Sequence, residues 1–282
     1  MSPLPASAPA LIFGCGYLGR RVAALWKQDD RPVVALTRNN ADELRRVGVE
    51  PVTGDILAPD TLRTLPSAST VLYAVGLDRR AGKPMREVYV TGLSNVLAAL
   101  PPCARFVYVS STSVYGQSGG EWVSEQSETA PTEESGKVVL EAEQLLRSKR
   151  PDAIVLRFAG LYGPDRLLRK QPILKGEPLV GDADKWLNLV HVEDGARAVL
   201  HAEQRATPGE TYNVSDGEPV TRRAFYTRLA ELLGTEAKFD ARPEPGAPNR
   251  RIDAAKFRAL DWSPAFANSA GGLTRAVADT TM

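Results

Sequence analysis

The chain has 282 residues, 43% hydrophobic and 24% charged, which is enough for a large core in one domain or two coupled lobes. Its formal charge of +1 creates no field toward nucleic acid or an acidic membrane surface, so neither is an expected partner. The two cysteines, Cys15 and Cys103, form neither a disulfide framework nor a metal-ligand cluster, and no apolar run reaches the roughly 20 residues of a membrane span. A cytoplasmic location with no metal site is the expectation.

Residues 1–9 carry no basic n-region and read as a short flexible leader, rich in Pro and Ala. Short apolar runs follow at Ala10–Phe13, Val33–Thr37, Val49–Thr53, Thr70–Val75, Arg105–Ser110 and Ala153–Phe158, each predicting a buried parallel strand. Between them, helical spacing runs over Leu18–Lys27, Ala41–Val47, Pro84–Leu100 and Ser135–Ser148, with Pro84 at a first helical position that needs no N–H. This alternation predicts an α/β fold with a doubly wound parallel Rossmann sheet. After Phe158 the pattern loosens, with a helix over 191–203, a late strand at Thr211–Val214, a helix at Arg222–Leu233, the Pro-rich run RPEPGAP and a last short helix. The expected organisation is a dinucleotide domain at 10–159, completed by 190–215, and a smaller discontinuous substrate lobe at 160–189 and 216–282.

The run Gly14-Cys15-Gly16-Tyr17-Leu18-Gly19 fits G-x-G-x-x-G between the first strand and an amphipathic helix. Gly14 suits the tight turn, Gly16 lets the backbone approach a pyrophosphate, and Gly19 permits close helix–strand packing, while the helix start offers free N–H groups. Where an NAD site carries an acidic residue after the second strand, this chain has Arg38, which cannot accept from a ribose hydroxyl but can pair with a 2′-phosphate. NADP(H) is therefore favoured over NAD(H), the alternative for Arg38 being a solvated loop position. Asp55 and Ile56 fall where adenine is held, although Asp55 suits a turn equally well. Ala74, Val75 and Gly76 offer small residues for a close cofactor passage. Cys15, near a helix N-terminus, has a setting that lowers thiol pKa values, against the simpler reading as a small filler.

These residues resemble the extended short-chain dehydrogenase/reductase superfamily of NAD(P)-dependent epimerases and dehydratases. The likeness is carried by SSTSVYG (Ser110–Gly116), LRFAGLYGP (Leu156–Pro164), NLVHVEDGARA (Asn188–Ala198), YNVSDGEPVT and RRIDAAKFRALDWSP. It implies that Ser110 lies against the cofactor and that Ser111 is the hydroxyl that polarises a substrate oxygen. Tyr115 and Tyr162 take positions beside the cleft, as proton donors or as packing aromatics. Trp186, Asn188 and Arg250 fall on segments that line the family's substrate pocket, and the matching His191 is mainly structural. A small-molecule substrate is implied, as is a homodimer through the helices Pro84–Leu100 and Ser135–Ser148.

The resemblance breaks at the family's Tyr-x-x-x-Lys pair. Aligned from Pro131 upstream and Leu140–Glu143 downstream, the Tyr position is Ser135 and the Lys position Val139. Lys137 points about 200° away from Ser135 around a helix and cannot substitute. Gly160 replaces an Asn that contacts substrate diphosphate in sugar-nucleotide epimerases, and Thr112–Ser113 replace the dehydratases' Asp-Glu. The combination resembles the superfamily's atypical, YeeZ-like branch. It leaves two readings: an oxidoreductase or epimerase-like enzyme of unusual mechanism, or a catalytically inactive NADP(H)-binding sensor.

Overall fold

The structure, a computed structural model, describes residues 8–242 and 245–280. Most of the leader expected at 1–9 lies outside them, as does part of RPEPGAP. The leader's last two residues are anchored, contrary to that expectation: Ala8 is buried, and the Ala8 and Pro9 carbonyls accept from the Ser69 hydroxyl and backbone N–H at 2.9 Å each.

The chain folds into two compact units, Met1–Val114 with Glu133–Arg157 and Ala196–Tyr212, and Tyr115–Thr132 with Phe158–Gly195 and Asn213–Met282. Tyr115–Thr132 belongs to the second unit, whereas the strand–helix alternation in the sequence places it with the first.

The first unit is built on β1 (Ala10–Phe13), α1 (Gly19–Gln28), β2 (Val33–Thr37), α2 (Ala41–Arg46), β3 (Glu50–Thr53), β4 (Ala68–Tyr73), α3 (Gly92–Ala99), β5 (Cys103–Ser111) and α4 (Glu134–Lys149). With the strands Ile154–Phe158 and Thr211–Val214, these give a seven-stranded sheet in the order Thr211–Val214, Ile154–Phe158, β5, β4, β1, β2, β3. The pairs β1–β2, β1–β4, β2–β3 and β4–β5 are all parallel. All four residues of β1 are fully buried, as a strand covered on both faces must be. Pro51 is tolerated in β3 because β3 is the sheet edge, where a missing N–H breaks no second ladder. In α1, Val22, Ala23 and Trp26 fall on one buried stripe, and Trp26 Nε1 donates to Glu203 at 2.7 Å.

The stretch predicted as one helix from Pro84 differs. It opens just after Pro84, whose carbonyl accepts from Val88 N at 3.2 Å, and a π-helical turn at Glu87–Thr91 precedes α3. Pro84 thus caps the helix rather than sitting inside it.

From β1 the chain proceeds to β2 and β3 on one side and crosses to β4 on the other. Such a reversal opens a crevice at the carboxyl ends of the strands, which is where ligands bind in parallel sheets.

The second unit has its own core of Tyr162, Ile173, Leu179, Leu189, Phe225, Leu229 and Leu273, among others. Short strands tie it together, including Gly160–Tyr162 parallel to Leu189–His191 and Trp122–Val123 parallel to Arg251–Ile252. Its helices include Arg222–Leu232, capped by the Thr221 hydroxyl, and Ser269–Ala278, capped by Asn268.

Candidate dinucleotide site

A cavity of about 410 Å³ opens at the carboxyl ends of β1, β2, β3 and β4. Gly14, Cys15 and Gly16 line it from the loop after β1, Arg38 and Asn39 from the end of β2, Asp55 and Ile56 after β3, and Val75 and Gly76 after β4. The sequence-predicted positions on these four loops therefore converge.

The glycines divide into two roles. Gly14 has φ +88°, and a Cβ there would lie 2.3 Å from the Ala74 carbonyl oxygen; at Gly19 it would lie 2.4 Å from the Gly14 carbonyl oxygen. Both are required for the loop to fold against its own strand and neighbour. Gly16 and Gly76 are different, because a Cβ at either would meet no atom within 4 Å. Packing does not demand glycine there. Instead, the bare backbone leaves cavity space next to the start of α1, where the positive end of the helix dipole favours an anion. This is the fit expected for a dinucleotide pyrophosphate.

Tyr17, Leu18, Gly19 and Ala74 are not on the lining of this cavity. Leu18 is buried, and Tyr17 lies under the Arg21 guanidinium at 4.5 Å. Burial pushes the Cys15 thiol up to about 11, with Arg20 opposing, so the suggestion of a lowered thiol pKa at this helix start is reversed. Asp55 Oδ1 accepts from Leu57 N at 2.9 Å, and its own N–H donates to Thr61 Oγ1 at 2.9 Å, so the residue builds its turn as well as the wall.

Asn40, Leu57, Asp78, Ala81 and Lys83 also line the cavity, beyond the positions that the sequence motifs indicate. Asn40 directly follows Arg38–Asn39 and was within reach of the motif. The segment 78–83 carried no such signal. Asp78 Oδ1 caps its short turn by accepting from Arg80 N at 3.0 Å, and Asp78 Oδ2 stands 3.5 Å from Arg38 Nη2.

Ser110, like Ser111, is not on the lining of this cavity. It is buried at 6% exposure, and its hydroxyl donates to Glu143 Oε1 at 2.5 Å. Consecutive strand residues face opposite sides, so Ser110 turns inward while Ser111 turns the other way. Glu143, on α4, also receives Arg157 Nε at 3.0 Å and Nη2 at 2.7 Å, closing a buried network between β5, α4 and the strand Ile154–Phe158. Ser111 Oγ accepts from Ser113 N at 3.1 Å, which leaves its own hydrogen to donate. On α4, Ser135, which the resemblance aligns with the family's Tyr, is exposed, and Val139, which it aligns with the Lys, is buried.

The other predicted residues lie in the second unit. Tyr115 is fully buried and donates to Asn213 Oδ1 at 2.9 Å. Tyr162 is 2% exposed, packs edge-on to His191 and Phe225, and occupies the space that a Cβ at Gly272 would need. Burial raises its phenol pKa, with Asp216 and Asp194 adding to the shift. His191 is buried and its Nδ1 accepts from Glu193 N at 3.3 Å. Asn188 commits both ends of its amide to backbone, donating to the Arg250 carbonyl at 2.9 Å and accepting from Ile252 N at 2.7 Å. Trp186 stacks against Arg251, whose guanidinium also covers Trp122.

A parallel sheet with a glycine loop after its first strand, and with four strand ends converging on one cavity, defines a Rossmann-type dinucleotide-binding protein. The NAD-dependent epimerase/dehydratase family matches residues 10–215, and the chain belongs to that family. It is similar to Protein YeeZ of Escherichia coli, at 30% identity over 207 residues covering 72% of this chain and 70% of the relative. A 4-hydroxy-2-methyl-3-oxo-4-farnesyl-3,4-dihydroquinoline-1-oxide ketoreductase of Stigmatella aurantiaca is 26% identical over 245 residues, 80% of this chain and 73% of that one. The fold is shared with UDP-glucuronic acid 4-epimerase of Bacillus cereus, solved with UDP-glucuronic acid and NAD (TM-score 0.80, 20% identity, covering 96% and 98% of the two chains). No helix among the described residues is long and apolar enough to cross a membrane.

Proposed function

We propose that the chain binds NADP(H) in this cavity and works as an oxidoreductase on a small carbonyl or hydroxyl compound, with Ser111 taking the polarising role. The observation that carries the cofactor is Arg38 on the cavity lining, where an acidic residue would favour NAD. Gly14, Gly16 and the start of α1 would hold the pyrophosphate, Ile56 and Asp55 the adenine, and Arg38 the 2′-phosphate. When bound, the nicotinamide supplies or accepts a hydride. Ser111 would donate a hydrogen bond to the substrate oxygen, its Oγ held by the Ser113 N–H. A serine is too weak an acid to deliver the proton by itself. Tyr115 and Tyr162 are held in packing roles, so the proton would come from a substrate group. The ketoreductase likeness supports reduction as the direction of the chemistry.

Ser135 and Val139 favour a second reading, a dinucleotide-loaded sensor that does no hydride chemistry. General acid–base catalysis contributes roughly 100-fold or more, and this chain lacks the residues that normally provide it. Incubation with 4S- and 4R-deuterated NADPH and a panel of carbonyl compounds separates the two. Stereospecific loss of deuterium that drops sharply in Ser111→Ala supports the enzyme. NADPH binding with deuterium retained throughout supports the sensor.

A further inference from the structure

Three cations line the cavity, Arg20, Arg38 and Lys83. Each has a carboxylate within 4 Å: Glu43 at 2.5 Å, Asp78 at 3.5 Å and Glu87 at 3.5 Å. Of those three carboxylates, only Asp78 itself lines the cavity. Its partner Arg38 follows β2 and Asp78 follows β4, the two strands that flank β1 in the sheet. The pair therefore links the two loops on either side of β1, and both residues line the same cavity as Gly14 and Gly16. Both side chains are about half exposed, at 48% and 52%, so the contact can open without uncovering buried charge. The two oxygens of Asp78 have separate tasks: Oδ1 stays on Arg80 N and holds the turn, while Oδ2 faces Arg38.

We infer that Asp78 is a specificity-determining residue, an internal counter-ion that competes with a cofactor 2′-phosphate for Arg38. The inference rests on the assignment of Arg38 to that phosphate. A ligand without the phosphate leaves the Arg38–Asp78 pair intact. A ligand that carries it must draw Arg38 from Asp78 and then hold a dianion beside the remaining carboxylate. Asp78 thus lowers the preference for NADP(H) below what Arg38 alone would give, and keeps the site accessible to both nicotinamide cofactors.

The probes are 2′,5′-ADP and 5′-AMP, which differ by the phosphate in question and require no turnover. Their dissociation constants are measured by calorimetry at fixed ionic strength for the wild type, Asp78→Asn, Arg38→Ala and the double variant. Asp78→Asn keeps an acceptor for Arg80 N, and Asp78→Ser, also a good cap, serves as a second uncharged variant. The ratio favouring 2′,5′-ADP is expected to rise about two- to fivefold in both, the scale of a half-exposed ion pair, and to shrink at high salt. In the Arg38→Ala background the gain should disappear. If Arg38→Ala lowers the ratio but neither Asp78 variant raises it, Asp78 is not a competitor, while the 2′-phosphate assignment survives. If Arg38→Ala leaves the ratio unchanged, the assignment itself fails and this inference falls with it.

Discussion

Glu143 and Arg157 form an ion pair in which both side chains are under 10% exposed, with Nη2 and Oε2 2.7 Å apart. The pair joins α4 to the strand Ile154–Phe158, and Ser110 adds β5 through the same carboxylate. Glu143 stands one helical turn beyond Val139. A buried charged network therefore lies one turn from Val139 and ties α4 to the sheet.

Breaking this pair from either side should be costly. Glu143→Gln leaves a buried guanidinium without its counter-charge, for which about 3–5 kcal/mol is the usual penalty. Urea denaturation should report a loss of that order for Glu143→Gln and for Arg157→Met. The double variant should lose clearly less than the sum of the two. Additive losses would show that the two residues act independently.

Asp216 gives a pH signature. It is 1% exposed, and burial raises its carboxyl pKa to about 7, opposed by the Glu218 N–H that Oδ1 accepts, while Glu218 and Asp194 repel it and Arg258 attracts it. A carboxyl whose pKa rises on folding favours the native state at low pH and loses that contribution as pH climbs through the folded value. Wild-type stability should therefore fall between pH 4 and pH 7, by up to about 4 kcal/mol for a shift of this size. Asp216→Asn keeps an acceptor for Glu218 N and should be the more stable protein at pH 8, with the difference gone near pH 4. Parallel stability curves for the two proteins across that range would refute the assignment.

Much of the fold was legible because its determinants are local. The four apolar residues of β1, the glycines after it and the stripe Val22, Ala23 and Trp26 can each be read within a few positions. Arg38 was legible for the same reason. Contacts between distant segments were not. Nothing near Asp78 announces Arg38, 40 residues earlier, and nothing near Ser110 announces Glu143. Tyr115 and Tyr162 are ambiguous in the sequence because an aromatic with a hydroxyl suits both catalysis and a core. Their burial against Asn213 and Gly272 separates those uses. The π-helical turn at Glu87–Thr91 has no counterpart in apolar spacing, which fits a continuous α-helix as well.

Cys15 should be a slow nucleophile despite its place in the phosphate loop. With its thiol pushed up to about 11, the thiolate is scarce at neutral pH. Alkylation by iodoacetamide should be far slower than for a free thiol at pH 7.5, and its rate should rise about tenfold per pH unit through pH 9. Rapid modification at pH 7, levelling off below pH 8, would contradict the buried, protonated state.

The loop after β1 leaves its floor bare for a dinucleotide. Gly16 tests it because nothing in the protein lies within 4 Å of a Cβ placed there. Titration of Gly16→Val with NADPH, followed by calorimetry alongside a thermal melt, is the direct measurement. The melting temperature should stay close to wild type, and NADPH affinity should fall at least tenfold because a side chain stands in the pyrophosphate's place. A variant that melts like the wild type and still binds NADPH as tightly would contradict it.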